Sequence, residues 1–314
     1  MIPRAFTRFR RAVTVAFALC FAVVLAGATV RATGSGMGCP DWPLCYGCWI
    51  PPVSASQLPQ DFAQKYAVDG HPASFDAVKT WIEYVNRLAG VSAGAALLVS
   101  AVFAFLLLRS RPSLAWLSMA SLAAVVFVAW LGAEVVGTFL AAYAVTLHLL
   151  AAYVLLGLLL AQREIVSRAV SGPRPEAGRG AVLALILVGL AFLAQWTLGI
   201  QTREQVEASL WGQDYQPLLP ADSYDLHKIS GVVVGLSAAL FAWVGWRARS
   251  YNPRLARLTF LCALFVALQA GVGLILWFAH LPPWAKPLHL AFATGAWSAW
   301  FAVVLHLWPR GRRV

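Results

Sequence analysis

Eight apolar runs, each about 20 residues long, constrain this chain more than any other feature. They cover approximately residues 12–31, 84–108, 114–136, 141–162, 180–200, 225–246, 256–279 and 287–308. A helix rises 1.5 Å per residue, so about 20 residues cross a hydrocarbon core of roughly 30 Å. In that medium each backbone N–H and C=O must be paired inside its own segment, which makes such runs helices. The expected fold class is all-α membrane, with eight transmembrane helices. Only 12% of the residues are charged, about half the share of a soluble domain.

The net charge of +11 would suit nucleic acid, but its placement argues against that partner. Arg4, Arg8, Arg10 and Arg11 precede the first span, and Arg109 and Arg111 follow the second. Arg163, Arg168, Arg174 and Arg179 separate spans four and five, Arg247, Arg249, Arg254 and Arg257 separate six and seven, and Arg310, Arg312 and Arg313 end the chain. All of these fall on one side of an eight-span topology, and the opposite side is net acidic. By the positive-inside rule both termini are cytoplasmic, and the expected location is the cell inner (cytoplasmic) membrane. GATVRATGSG after the first run carries no clear cleavage site, so that run reads as a retained helix.

The spans form two groups. A shift of 141 residues lays NRLAGVSAG (86–94) on HKISGVVVG (227–235), Gly132 on Gly273, and LHL at 147–149 on LHL at 288–290. GATVR after span one matches GIQTR after span five at a different shift, as expected if only the first connecting loop has grown. This is the mark of two parallel-repeat four-helix bundles. The expected halves are 1–170, which includes a long loop at 32–80, and 180–314, joined by a Pro/Gly/Arg linker at 171–179.

Histidines follow the repeat. His227 and His289 open spans six and eight, 62 residues apart; His148 opens span four, and 62 residues before it stands Asn86. Taken singly, a histidine at a helix mouth is an interfacial hydrogen-bonding group. As a repeated pair on neighbouring antiparallel helices, two imidazoles are what axial ligation of a haem iron needs, and ionisable groups inside a membrane are costly unless functional. His71, His280 and His306 have no such pairing and read as structural or solvated. GVSAG and GVVVG are small-xxx-small motifs for close helix packing. Trp42, Trp49, Trp211 and Trp284 fit an interfacial aromatic belt. Arg87 and Lys228 occupy matching places, as do Arg31 and Arg203; they suit either haem propionates or snorkelling to the interface.

RATGSGMGCPDWPLCYG after span one, WIEYVNRLAG (81–90), FLAQWTLGIQTR (192–203) and LQAGVG (268–273) resemble segments of the haem A synthase family. With the histidines at 148, 227 and 289, the likeness runs from about 15 to 308. It implies an eight-helix enzyme whose C-terminal half holds a haem b cofactor between His227 and His289. The N-terminal half would take haem O as substrate, with His148 on its iron and Glu83 as the essential acid, and would oxidise the C8 methyl to a formyl by successive hydroxylations for terminal oxidase biogenesis. Haem O synthase and terminal oxidase assembly factors are the implied protein partners, beside the lipid bilayer. This chain departs from the family pattern at Asn86, where many members carry histidine; an amide is a poor haem ligand. Two other classes stand beside the enzyme: a cytochrome b-like membrane electron carrier, and a haem transport or assembly protein that modifies nothing. Glu83 separates them, since pure electron transfer needs no carboxylate there.

By the resemblance Cys39 pairs with Cys45, and the disulfide staples the loop over the substrate pocket or takes part in redox chemistry. Cys48 makes CYGC with Cys45, so a 45–48 bond competes; Trp49 excludes a c-type haem motif. Cys20 and Cys262 fall inside spans and read as plain apolar residues.

Overall fold

A computed structural model describes residues 4–67, 72–107, 109–171, 178–211 and 223–308; His71 of the sequence reading lies outside them. The described residues contain helices and no named strand. The long helices are α1 (Arg4–Ala32), α3 (Ala77–Phe105), α4 (Pro112–Gly137), α5 (Ala142–Ser171), α6 (Arg179–Trp211), α7 (Ser223–Arg247), α8 (Pro253–Phe278) and α9 (Ala285–Leu307); α2 (Phe62–Lys65) is a single turn in the long loop. The eight long helices are apolar and long enough to cross a membrane, as the apolar runs require.

The helices overrun the apolar segments because their ends are set by caps. At α3, the Asp76 carboxylate accepts the Val78 and Lys79 amides at 2.9 and 3.1 Å, which moves the start seven residues ahead of the apolar run. Proline begins both α4 and α8, where its missing N–H costs nothing. Both helices also end alike. Phe139 and Leu140 after α4, and His280 and Leu281 after α8, are consecutive non-glycine residues with positive φ. Each pair, like each helix start, is displaced by the same 141 residues.

Contacts divide the chain into two compact units. The first takes the described residues up to Val166 with Leu281–Ala291; the second takes Ser167–His280 and the described residues from Phe292. In the first unit, Phe9, Val13, Ala16 and Cys20 make a buried stripe on α1, and Ala93, Leu97, Ala101 and Ala104 make one on α3. Both stripes have the three-and-four spacing of a packed helix face. Gln162 on α5, fully buried, accepts from the Ser118 hydroxyl at 2.9 Å and donates to Ser121 on α4 at 2.8 Å. Such polar links hold helices together where lipid removes the hydrophobic drive between them.

The core of the second unit is Val188 and Phe192 from α6, Val234, Ala238 and Phe241 from α7, Cys262 and Val266 from α8, and Ala296, Ala299 and Val303 from α9. Cys20 and Cys262 are buried among apolar side chains in their units. Arg168 donates to the Leu305, His306 and Trp308 carbonyls and so caps α9. His306 is buried and meets the Asn252 side chain at 3.0 Å, the structural role expected of it.

Candidate functional site

The chain leaves α1 through Gly34, whose φ of 64° lets the Ser35 amide reach back to the Val30 carbonyl at 2.8 Å. The following loop folds on itself. Cys45 and Cys48 pair across a two-residue hairpin whose Tyr46 and Gly47 both have positive φ. The Asp41 carboxylate ties the turn by accepting the Tyr46 and Gly47 amides at 2.6 and 2.7 Å. The disulfide joins Cys39 to Cys45, and Cys48 is a free, exposed thiol. The 45–48 alternative is thus not formed. Tyr46 is buried against the edges of Phe62, Tyr66 and Phe75. Burial, then the Asp41 and Glu83 carboxylates, pushes its phenol above the usual tyrosine range.

One face of α3 grips this loop. Gly38 lies so close that a Cβ there would come within 2.5 Å of the Lys79 carbonyl oxygen. The Thr80 hydroxyl donates to the Gly38 carbonyl at 2.8 Å, and the Cys39 amide donates to Glu83 Oε2 at 2.8 Å. Arg87 donates to the Asp41 and Leu44 carbonyls, both at 2.8 Å, to the Cys39 carbonyl at 2.9 Å, and to Glu83 Oε1. Glu83 is only 4% exposed. Thr80, Glu83 and Arg87 stand three and four residues apart, so they share one helix face. Both oxygens of Glu83 are therefore engaged with the loop, and the guanidinium serves main-chain carbonyls.

Asn86 and Trp81 lie elsewhere on the same helix. Each has a buried polar atom, Asn86 Oδ1 and Trp81 Nε1, with no hydrogen-bond partner. Both residues line a groove of about 800 Å³ between α1 and α3, whose other walls are Ala22, Leu25, Ala26, Thr29, Ala77, Val78, Ile82 and Val85. Gly27 of α1 stands opposite the Asn86 amide.

The histidines repeat that relation. His148, near the start of α5, faces Gly132 of α4, where a Cβ would come within 3.3 Å of the imidazole Cε1; its Nδ1 is buried without a hydrogen-bond partner. His227, near the start of α7, faces Gly199 of α6, where a Cβ would come within 3.2 Å of Cε1. Gln195, one turn along α6, brings its amide nitrogen 3.4 Å from His227 Nε2 and 3.3 Å from its carbonyl, and receives the Ser230 hydroxyl. His289 lies in the first turns of α9. A buried imidazole nitrogen without a protein partner, in a slot kept open by glycine, fits an axial ligand facing a flat macrocycle.

Sequence reasoning picked out Glu83, Asn86, Arg87, Cys39, Cys45, His148, His227 and His289. The structure brings the loop cysteines to Glu83 and Arg87 and sets Asn86 beside them on another face. It adds Thr80, Trp81, Gly132, Gln195 and Gly199. The only advance sign of these was Gln195 and Gly199 within FLAQWTLGIQTR.

These features define a multi-pass helical membrane protein with single imidazoles set into glycine-lined slots between helices, and its place is the inner membrane. The chain belongs to the COX15-CtaA family, the cytochrome oxidase assembly proteins, whose model matches residues 10–301. It is 31% identical over 191 residues to a protein of Shewanella oneidensis named "Heme A synthase", a match covering 59% of this chain and 54% of that protein. A protein of the same name from Granulibacter bethesdensis is 25% identical over 311 residues, covering 85% of this chain and 79% of that protein. One from Alkalihalophilus pseudofirmus is 32% identical over 115 residues, 36% of this chain and 31% of that protein. The chain thus spans about half the length of the Shewanella relative it matches.

Proposed function

We propose that this protein is a haem A synthase, a membrane oxidoreductase that oxidises the C8 methyl of haem O to a formyl through successive hydroxylations for terminal oxidase biogenesis. The observation that carries it is the pair of imidazoles, His148 and His227, each set against a glycine of the neighbouring helix in a chain matched nearly end to end by this family. The two halves are a parallel repeat with cytoplasmic termini. The identical displacement of α4 and α8 and of the positive-φ pairs that follow them supports the repeat.

In this reading His148 holds the substrate iron in the N-terminal half, and Asn86 leaves the opposite face without a second imidazole. A haem b held by His227 and His289 supplies the one-electron redox chemistry that carries electrons away from the substrate. Gln195 positions the His227 ring through its contact at 3.4 Å, as partners of axial histidines generally do. Glu83 is the essential acid, three residues from Asn86 and so one turn away on an adjoining face. Its ion pair with Arg87 and its hold on the Cys39 amide seat the disulfide loop over that end of α3, where the loop excludes water from the reacting methyl.

The test is to express the protein in membranes that make haem O and to identify the extracted haems. Haem A or its hydroxylated precursor is expected, and is expected to vanish with Glu83→Gln. Recovery of haem b alone, with haem O untouched, would sink the enzyme reading in favour of electron transfer or haem transport. Separately, His227→Ala should abolish the low-spin haem b spectrum; its persistence would remove the cofactor assignment.

A further inference from the structure

We infer that the groove between α1 and α3 holds the hydroxyalkyl isoprenoid chain of the substrate haem, and so distinguishes the substrate from haem b. This rests on the haem O reading above. The two haems share the macrocycle and differ at one ring position: haem O has a carbon bearing a hydroxyl and a long isoprenoid chain where haem b has a vinyl group. A site that must accept one and leave the other to the cofactor position needs a feature complementary to that chain.

The groove has the chemistry. Its walls are almost wholly apolar, with Leu25, Ala26, Ile82 and Val85 among them. Thr29 adds no free donor, because its hydroxyl is spent on the Leu25 carbonyl at 3.0 Å. Against this lining stand two unsatisfied buried atoms, the Asn86 carbonyl oxygen and the Trp81 indole N–H. A lipid acyl chain would leave both unpaired, and unpaired polar groups in hydrocarbon are costly. The isoprenoid chain answers both. Its hydroxyl donates to Asn86 Oδ1, and its double bonds offer the indole N–H a π-face that a saturated chain lacks.

The placement agrees. The hydroxyl carbon is bonded directly to the macrocycle, so the hydroxyl belongs beside the ring. Asn86 stands in sequence where the other half has the haem-ligand position His227. Gly27 opposite it brings no side chain over the amide. Trp81 lies five residues away, about 7.5 Å along the helix, where the chain has left the ring. Departure from histidine at position 86 then has a use: an amide carbonyl is a poor iron ligand and a good hydroxyl acceptor.

The experiment uses purified full-length protein in nanodiscs, titrated with haem O and with an analogue that keeps the hydroxyethyl group but lacks the isoprenoid tail. Wild type is expected to prefer haem O by more than about tenfold, the scale on which pocket shape discriminates apolar groups. Ala26→Phe, which fills the groove, should abolish that preference while keeping affinity for the short analogue. Trp81→Phe, which removes only the N–H, should weaken haem O by about threefold and leave the analogue unchanged. Equal affinity of wild type for the two ligands means a lipid occupies the groove and overturns the proposal. Equal weakening of both ligands by Ala26→Phe overturns it too, since the variant then acts by distortion. Conversion of haem O by wild type is scored in parallel. If conversion fails, the enzyme reading falls; if conversion stands without tail preference, the groove assignment alone falls.

Discussion

The first turns of α3 and of α7 carry a cation at the same displaced position, Arg87 and Lys228, and use it in opposite ways. Arg87 is drawn inward, where its guanidinium serves Glu83 and three main-chain carbonyls of a loop that it holds down. Lys228 pairs with Asp225, which is 67% exposed, and lies over the rings of Tyr224 and Trp277 at 4.5 and 4.6 Å. A planar five-donor fork can organise several acceptors at once; an ammonium is a point charge on a flexible stem. The repeat therefore preserves charge at this place without preserving its task. One end is closed by a buried clamp, and the other is finished at a surface.

The largest break in this comparison should come from Arg87→Leu. It strands the Glu83 carboxylate in a buried setting and is expected to cost about 3–5 kcal/mol, measurable by thermal unfolding in detergent, with the loop opened to proteolysis. An effect under about 1 kcal/mol would mean that the clamp is not formed. Next is Cys39→Ser, which opens the short disulfide ring and should lower stability by about 2 kcal/mol on the chain-entropy account. Reducing agent should reproduce that loss in wild type and add nothing in the variant.

The glycine slots give a smaller and more local effect. Gly132→Ala and Gly199→Ala each push a methyl to within 3.3 and 3.2 Å of an imidazole carbon. Each is expected to shift one haem spectrum at a stability cost of about 1 kcal/mol: Gly132→Ala the substrate haem on His148, and Gly199→Ala the cofactor haem on His227. If both variants alter the same spectrum, the division of labour between the imidazoles is wrong. The smallest change should follow Lys228→Ala, within about 1 kcal/mol and further reduced by salt, as exposed pairs are.

The helices were legible because lipid imposes a length and a composition that eight runs satisfy in plain view. Their ends were less so. Hydropathy sees only the part of a helix that meets hydrocarbon, whereas α3 starts where the Asp76 carboxylate caps it, ahead of the apolar run. WIEYVNRLAG announced a polar face at 83, 86 and 87, but not what that face would meet. The partners of Arg87 are carbonyls of Cys39, Asp41 and Leu44, and main-chain oxygens leave no mark in a sequence. Nor could the sequence divide the face as the structure does, with Glu83 and Arg87 turned to the loop and Asn86 to the groove. Trp81 passed for one more interfacial tryptophan, since an unpaired N–H is visible only once its surroundings are in place.

The grip on the loop has a consequence for how this surface can be rebuilt. Arg87 and Thr80 bind it through carbonyl oxygens at positions 38, 39, 41 and 44, and Glu83 binds it through an amide. Recognition is thus of a backbone path, and side chains such as Leu44 stand outside the contract. A segment of different composition that keeps Gly38, the two cysteines and the Asp41 turn should seat itself in the same cradle. The cap is in that sense an interchangeable part, open to redesign for new contacts above the membrane while the helices beneath it stay as they are.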